Sequence, residues 1–226
     1  MDITHLRAAH EFAVAYGFKS LVYGAAGTGK TPLINTATRP LLLACEPGLL
    51  SMRGSQVPTY QADTVPKIEE FFKWFLNSKE ANNFDTLAVD SISFMCDMYL
   101  EDGKKRGIKH GMQLYGDMAE KVSKHLQDLY FYKNKHMYLI CKEENLDVNG
   151  ANYKRPYFPG KVLPASAPGQ YDAILYLCKA FIPGVHGEQL AFRCNGGYDV
   201  MARNRTGLLS DYEPPNFSEL VRKAMG

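Results

Sequence analysis

Gly24-Ala25-Ala26-Gly27-Thr28-Gly29-Lys30-Thr31 lies between a short β-rich run, Lys19 to Tyr23, and the segment Lys30 to Ala37, which is predicted to be a helix. The spacing GxxxxGK[ST] is that of a P-loop, in which glycines allow backbone N–H groups to surround phosphate oxygens. Lys30 would reach the β- and γ-phosphates, and Thr31 would bind Mg²⁺. A chance glycine turn is the alternative, but the strand and helix around it favour an ATP-binding loop that includes all eight residues.

Two carboxylates follow predicted strands downstream of this loop. Asp90 ends the apolar run Thr86 to Val89, where a Walker B carboxylate would hold Mg²⁺. Its alternative role is to cap the next turn. Glu46 follows the run Pro40 to Cys45 and could polarise the attacking water, with an exposed loop glutamate as the alternative. The sequence therefore predicts both acids as catalytic together with Lys30, and Asp90 as a metal ligand beside the P-loop threonine.

Apolar runs alternate with helical patterns along most of the chain. Further strands are predicted at His136 to Cys141 and Tyr171 to Cys178, and helices at Val65 to Leu76 and Met112 to Tyr132. Continuous apolarity indicates strands that are covered on both faces. Strands that alternate with helices predict an α/β fold with a mainly parallel sheet, whose carboxyl edge would gather the glycine loop and both acids.

The C-terminal part has a different pattern. Gln189 to Cys194 and Tyr198 to Ala202 alternate around Asn195-Gly196-Gly197, which predicts a β-hairpin. Asn216 is expected to cap a final helix, so that hairpin and helix together occupy residues 189–226.

Composition limits the remaining choices. The 226 residues are 46% hydrophobic and 22% charged, which predicts one globular domain over residues 1–226. Apolar residues at helical spacing predict a leading helix over residues 4–16. A net charge of +2 does not indicate nucleic acid by itself. The five cysteines are scattered, so neither a zinc site nor a disulfide framework is expected. No signal peptide or membrane-length apolar run is found, and we expect a cytoplasmic protein without a membrane partner.

The order of GAAGTGKT, LLLACE and TLAVDS resembles the core of RecA-type ATPases. The whole chain is similar to small phage RecA-like ATPases, a group that includes single-strand annealing recombinases and AAA-type nucleotide-binding proteins. The resemblance implies a RecA-like P-loop NTPase core. It also implies that Glu46 is the water-activating glutamate and that Asp90 is the aspartate of the VDS-like strand.

Two further segments bear on this resemblance. Met201 to Gly207 resembles the segment of RecA-like hexameric helicases whose cations reach a neighbouring subunit's γ-phosphate, which implies that Arg203 and Arg205 are fingers in a homo-oligomer with ATP at its interfaces. Two solvated arginines in a turn are the alternative. The polar sensor of the family is replaced by Lys142-Glu143-Glu144, and the sequence leaves open whether Lys142 or Glu143 faces the nucleotide.

Two segments could contact DNA. The first, Asp102 to His110, is a glycine-rich basic stretch that suits phosphates, and a solvated loop is its alternative. The second, Tyr153 to Phe158, interleaves cations with rings that could stack on unpaired bases, although such rings also pack loops onto cores. The candidate contacts are Lys104, Lys105, Arg106, Lys109, Tyr153, Lys154, Arg155, Tyr157 and Phe158.

The sequence thus predicts a RecA-like protein that binds and hydrolyses ATP with Mg²⁺, binds single-stranded DNA and promotes annealing or recombination in a phage, in the host cytoplasm. A single-strand-binding protein of the phage or its host is a further expected partner. An ATPase motor or loader of phage replication, and a nucleotide-gated DNA-binding module with little hydrolysis, are alternatives. A P-loop kinase is disfavoured because no later segment resembles an arginine-rich lid.

Overall fold

A computed structural model describes residue 6 and residues 8–148, 150–182, 184 and 186–226. The described residues form ten strands: β1 (Lys19–Gly24), β2 (Pro40–Ala44), β3 (Thr59–Gln61), β4 (Thr86–Asp90), β5 (His136–Val148), β6 (Ala151–Pro156), β7 (Ala173–Phe181), β8 (Glu188–Arg193), β9 (Arg203–Asn204) and β10 (Tyr212–Glu213).

The helices are α1 (Ala9–Ala15), α2 (Val65–Asn77), α3 (Ile92–Lys105), α4 (Gly111–Phe131), α5 (Val162–Ser166) and α6 (Phe217–Met225). Short 3-10 helices cover Pro32–Thr36, Leu49–Met52, Glu80–Asn83 and Ala167–Gln170. Within the described part of the chain, no helix is long and apolar enough to cross a membrane.

The main sheet has the order β10-β8-β7-β1-β5-β4-β2-β3. Its six strands from β7 to β3 pair in parallel, while β8 and β10 extend the other edge in the antiparallel sense. The P-loop strand β1 lies between β5 and β7, and one strand, β5, separates it from the strand that ends at Asp90. The predicted α/β fold with a mainly parallel sheet is confirmed.

Apolar side chains cover both faces of the sheet. On one face, α2, α3 and α4 contribute Phe72, Tyr99 and Val122 to a core that also contains Leu139 of β5. On the other face, the segment after the P-loop and α6 pack against the sheet through side chains such as Ile34. Because parallel strands are buried on both faces, their continuous apolar sequences are explained.

Two predicted helices differ from the structure. The leading helix begins at Ala9, and its proposed cap Thr4 lies outside the described residues. The segment after the P-loop is a five-residue 3-10 helix, Pro32–Thr36, rather than a full α-helix. Its N-terminal proline has no N–H to donate, and the chain turns into an extended residue at Ala37.

The predicted hairpin between Gln189 to Cys194 and Tyr198 to Ala202 is wrong. The first segment, as β8, pairs instead with β7 and with β10, and in the second segment only Val200 bridges to β6. A hairpin is present in this part of the chain, but it joins β7 to β8. The β5–β6 hairpin was not predicted. The strand predicted to end at Cys141 continues to Val148 as β5, and its extension pairs with β6.

Replacement of a buried β5 side chain should test this core. Leu139 is 1% exposed, so we expect Leu139→Ala to lower the free energy of unfolding by about 3 kcal/mol through lost burial and a residual cavity. Leu50→Ala is the matched control, because Leu50 is 83% exposed and its loss should change stability by less than about 0.5 kcal/mol. Urea unfolding followed by circular dichroism measures both variants, and equal effects would contradict the assigned core.

Candidate nucleotide-binding site

The glycine loop begins where β1 ends and needs glycine at defined places. A Cβ atom on Gly24 would lie 2.4 Å from the carbonyl oxygen of Leu177, so a side chain there would clash with β7. Gly29 has φ of 90°, in the left-handed region that side chains disfavour. These constraints hold the loop close to the sheet, with its backbone around a cavity of about 580 Å³.

The Lys30 ammonium lies at the mouth of this loop. Its Nζ donates to the carbonyl oxygens of Gly24 and Ala25 at 2.8 and 2.9 Å. Burial lowers the pKa of Lys30, while the charges of Asp90, Glu143 and Glu46 oppose that shift. The lysine therefore lies among carboxylates and can exchange the loop carbonyls for phosphate oxygens.

Thr31 and Asp90 meet directly beneath the loop. The Thr31 hydroxyl donates to Oδ2 of Asp90 at 2.6 Å. Burial raises the pKa of Asp90, and the bond from Thr31 and the charge of Lys30 act in the opposite direction. A hydroxyl and a carboxylate side by side are the oxygen donors that Mg²⁺ prefers when nucleotide phosphates supply further ligands, so the residues present fit this metal.

Glu46 is held close to Asp90 by backbone and side-chain contacts. The carbonyl oxygen of Asp90 accepts hydrogen bonds from the N–H groups of Cys45 and Glu46, at 2.7 and 3.2 Å. Ser91 then donates its hydroxyl to Oε1 of Glu46 at 2.5 Å and accepts from the backbone N–H of Phe94 as the N-cap of α3. Glu46 therefore lines the same cavity as Lys30 and Asp90.

Lys142 and Glu143 both line this cavity but have different surroundings. The Lys142 ammonium is 3.4 Å from Oδ2 of Asp97 and 5.1 Å from the ring centroid of Phe94. The charge of Glu143 opposes the lowering of the Lys30 pKa by burial. The direction of these two side chains is set by β5, which continues beyond Cys141. The sequence did not predict this extension, so it left the choice between them open.

The two candidate finger arginines contact the segment before β7. Arg203 donates to the carbonyl oxygens of Pro168 and Tyr171, and Arg205 donates to that of Gly169 at 2.8 Å. Arg203 is half-buried and Arg205 is exposed. Within one chain, neither guanidinium lines the cavity of the P-loop, so a finger role for either stays a prediction about a second copy.

The first candidate DNA segment begins as helix, and only its residues 106–110 form a turn and loop. Residues Asp102 to Lys105 form the last turn of α3. Lys104 pairs with Glu101 at 2.5 Å, and Arg106 pairs with Asp102 at 2.7 Å and with Asp117. Lys105 and Lys109 are exposed. Acidic neighbours therefore neutralise two of the four cations that the sequence offered to phosphates.

The second candidate DNA segment consists of β6 and the residues after it. Phe158 is 2% exposed and belongs to the hydrophobic core, so it cannot stack on a base, which corrects the sequence interpretation. Arg155 pairs with Glu144 at 2.7 Å. The rings of Tyr153 and Tyr157 remain half-buried. Tyr153 and Tyr157 are thus the two rings of this segment that are partly exposed to solvent.

The chain is similar to several known proteins. The model of a family described as an AAA domain matches residues 17–179. A KaiC-like protein from the archaeon Pyrococcus horikoshii OT3 aligns with a TM-score of 0.42 and 11% identity over 78% of this chain and 77% of its own. An ATPase of the type III secretion system of pathogenic bacteria aligns with a TM-score of 0.46 and 12% identity over 72% of this chain and 51% of its own. No curated protein is significantly similar in sequence.

The contacts of the P-loop lysine lead to a binding prediction. We expect Lys30→Ala to abolish ATP binding, because the variant lacks the ammonium that would meet the β- and γ-phosphates. Lys67→Ala is the control, since Lys67 is exposed and pairs with Asp63 outside the cavity. Titration of each variant with a fluorescent ATP analogue measures the affinity, and ATP affinity in Lys30→Ala equal to that of the unaltered protein would contradict the site.

Proposed function

We infer the function of this chain from the fact that it belongs to the AAA domain family. It has the fold of an AAA-type P-loop ATPase. We propose that it binds ATP with Mg²⁺ and hydrolyses the bond between the β- and γ-phosphates. The observation that carries this proposal is the convergence of Lys30, the Thr31–Asp90 pair and the Glu46–Ser91 pair on one cavity at the carboxyl edge of the sheet.

Each of these residues would have a separate task in hydrolysis. Lys30 would bind the β- and γ-phosphates, and Thr31 and Asp90 would hold Mg²⁺, which supplies positive charge to the phosphates when bound. Glu46 would accept a proton from the attacking water while the new bond to the γ-phosphorus forms and the bond to the ADP oxygen breaks. The hydrogen bond from Ser91 supports this role because it orients the Glu46 carboxylate.

We propose that the chain acts as a homo-oligomer with ATP at the interfaces. Arg205 supports this reading because its guanidinium is exposed and could reach a neighbouring site, where the fork geometry of arginine suits phosphate oxygens. Arg203, which is half-buried against backbone carbonyls, would have to give up those contacts to act as a finger.

We further propose that the ATPase acts on single-stranded DNA, in annealing or recombination in a phage. The supporting feature is β6, which pairs with the strand that continues from the ATP cavity and carries Tyr153. A tyrosine ring can stack on unpaired bases without reading their sequence. Exposed Lys105 and Lys109 could add phosphate contacts.

Replacement of Glu46 should separate binding from turnover. We expect Glu46→Gln to bind ATP with Mg²⁺ but to lose at least about 100-fold in turnover, since an amide oxygen can still accept from Ser91 but cannot take a proton. Glu80→Gln, at an exposed position on a 3-10 helix, is the control. Phosphate release measures turnover, and unchanged hydrolysis in Glu46→Gln would assign the base elsewhere.

Replacement of Tyr153 should test the DNA surface. We expect Tyr153→Ala to weaken binding to a single-stranded oligonucleotide by roughly 1–3 kcal/mol, with little effect on duplex, whose bases are already stacked. Tyr198→Ala is the matched control, because Tyr198 is a fully exposed ring on another loop. Fluorescence anisotropy with ATP present measures both, and protein without any preference for single strands would remove DNA from the proposed function.

A further inference from the structure

Glu143 differs from the other carboxylates around the nucleotide cavity. Asp90 accepts a hydrogen bond from Thr31, and Glu46 accepts one from Ser91. Oε2 of Glu143 is buried and has no hydrogen-bond partner among the described residues. A buried carboxylate oxygen without a donor is costly, so neighbouring cations would stabilise Glu143.

One such cation belongs to the P-loop itself. The charges that oppose the lowered pKa of Lys30 are, from the largest, those of Asp90, Glu143 and Glu46. Lys30 and Glu143 both line the nucleotide cavity, so their charges act on each other there. Because Glu143 lines the same cavity as the P-loop, its charge would act on phosphates bound there.

A second cation lies behind Glu143. The Lys154 ammonium donates to the Tyr176 hydroxyl at 3.0 Å. Burial raises the pKa of Tyr176, and the charge of the adjacent Glu143 raises it further while Lys154 opposes both. Lys154, Tyr176 and Glu143 thus form a row that leads into the cavity.

The backbone fixes this row in place. The carbonyl oxygen of Lys154 accepts from the hydroxyl of Tyr23 at 3.1 Å and from the backbone N–H of Met201 at 2.8 Å. The Tyr23 ring also lies against that of Tyr176, with centroids 5.1 Å apart. Tyr23 directly precedes the first P-loop glycine, so the position of Lys154 is tied to the loop that would hold the phosphates.

We propose that Glu143 is a specificity-determining residue that disfavours a nucleoside triphosphate relative to a diphosphate, and that Lys154, acting through Tyr176, offsets this effect. The inference rests on the proposed nucleotide binding of the same cavity. ATP brings more negative charge towards Glu143 than ADP does, and like charges in a partly dehydrated site repel. Lys154 is a positioning residue in this scheme, since it acts on the nucleotide only through the carboxylate.

The test compares the affinities of the protein for a non-hydrolysable ATP analogue and for ADP, both with Mg²⁺ and measured by calorimetry. Glu143→Gln should raise the ratio of triphosphate to diphosphate affinity on the order of tenfold, because a unit charge is removed at short range. Lys154→Met should lower the same ratio by a similar factor. In the Glu143→Gln/Lys154→Met double variant the ratio should equal that of Glu143→Gln, since the lysine then has no carboxylate to offset.

Adjacent residues of the same two strands provide the controls. Glu144 and Arg155 pair with each other at 2.7 Å and lie outside the row, so Glu144→Gln and Arg155→Met should change the ratio by less than about twofold. Tyr176→Phe, which keeps the ring and removes the hydroxyl, should act in the direction of Lys154→Met and serves if a charge variant folds poorly.

The outcomes separate this inference from the proposed function. An unchanged ratio in Glu143→Gln, or a shift of the same sign in Glu143→Gln and Lys154→Met, would overturn the role of Glu143 while nucleotide binding stands. Unaltered protein that binds neither nucleotide would overturn the proposed function and this inference together. Equal shifts in the Glu144→Gln control would show a general charge effect and would also overturn it.

Discussion

The parallel pairing of β1, β5, β4 and β2 is the constraint on which the rest of the structure depends. In a parallel sheet the carboxyl ends of the strands meet at one edge, and here the ends of β1, β4 and β2 lead into the glycine loop, Asp90 and Glu46. The carbonyl oxygen of Asp90 then accepts two N–H groups from the chain that leaves β2. The separation of the backbone at Asp90 and Glu46 is therefore set by hydrogen bonds that do not depend on side-chain rotamers.

This edge concentrates charge where little water can screen it. Lys30 is partly buried among three carboxylates. Burial lowers the pKa of Lys30, and the charge of each carboxylate opposes that shift. Among the residues that the structure describes, Thr31 and Ser91 donate side-chain hydrogen bonds to two of these carboxylates, Asp90 and Glu46. Lys30 donates to the carbonyl oxygens of Gly24 and Ala25, so phosphates would replace one set of oxygen acceptors by another.

The sequence was sufficient for elements whose signal is local or continuous. The P-loop has a fixed spacing, and the apolar runs before Glu46 and Asp90 identify buried parallel strands, so this part of the fold and candidate site was predictable. The β5–β6 hairpin was not, because residues 142–148 are mostly polar and residues 143–148 pair with 151–156 outside the main sheet. Without that pairing, the direction of Glu143 and its contact with Tyr176 could not be deduced.

The DNA segments show why composition alone misjudges a surface. The basic residues after Asp102 look like an excess of charge in the sequence, but helical spacing brings Glu101 to Lys104 and Asp102 to Arg106, and α4 adds Asp117. Salt bridges of this kind contribute little to stability, yet they remove the local positive potential on which phosphate binding depends. In β6 the same effect holds for Arg155, whereas Lys154 contacts a tyrosine rather than an acid. The charge of Lys154 is therefore directed towards the nucleotide cavity through Tyr176, and its backbone is tied to the strand before the P-loop by the hydrogen bond from Tyr23.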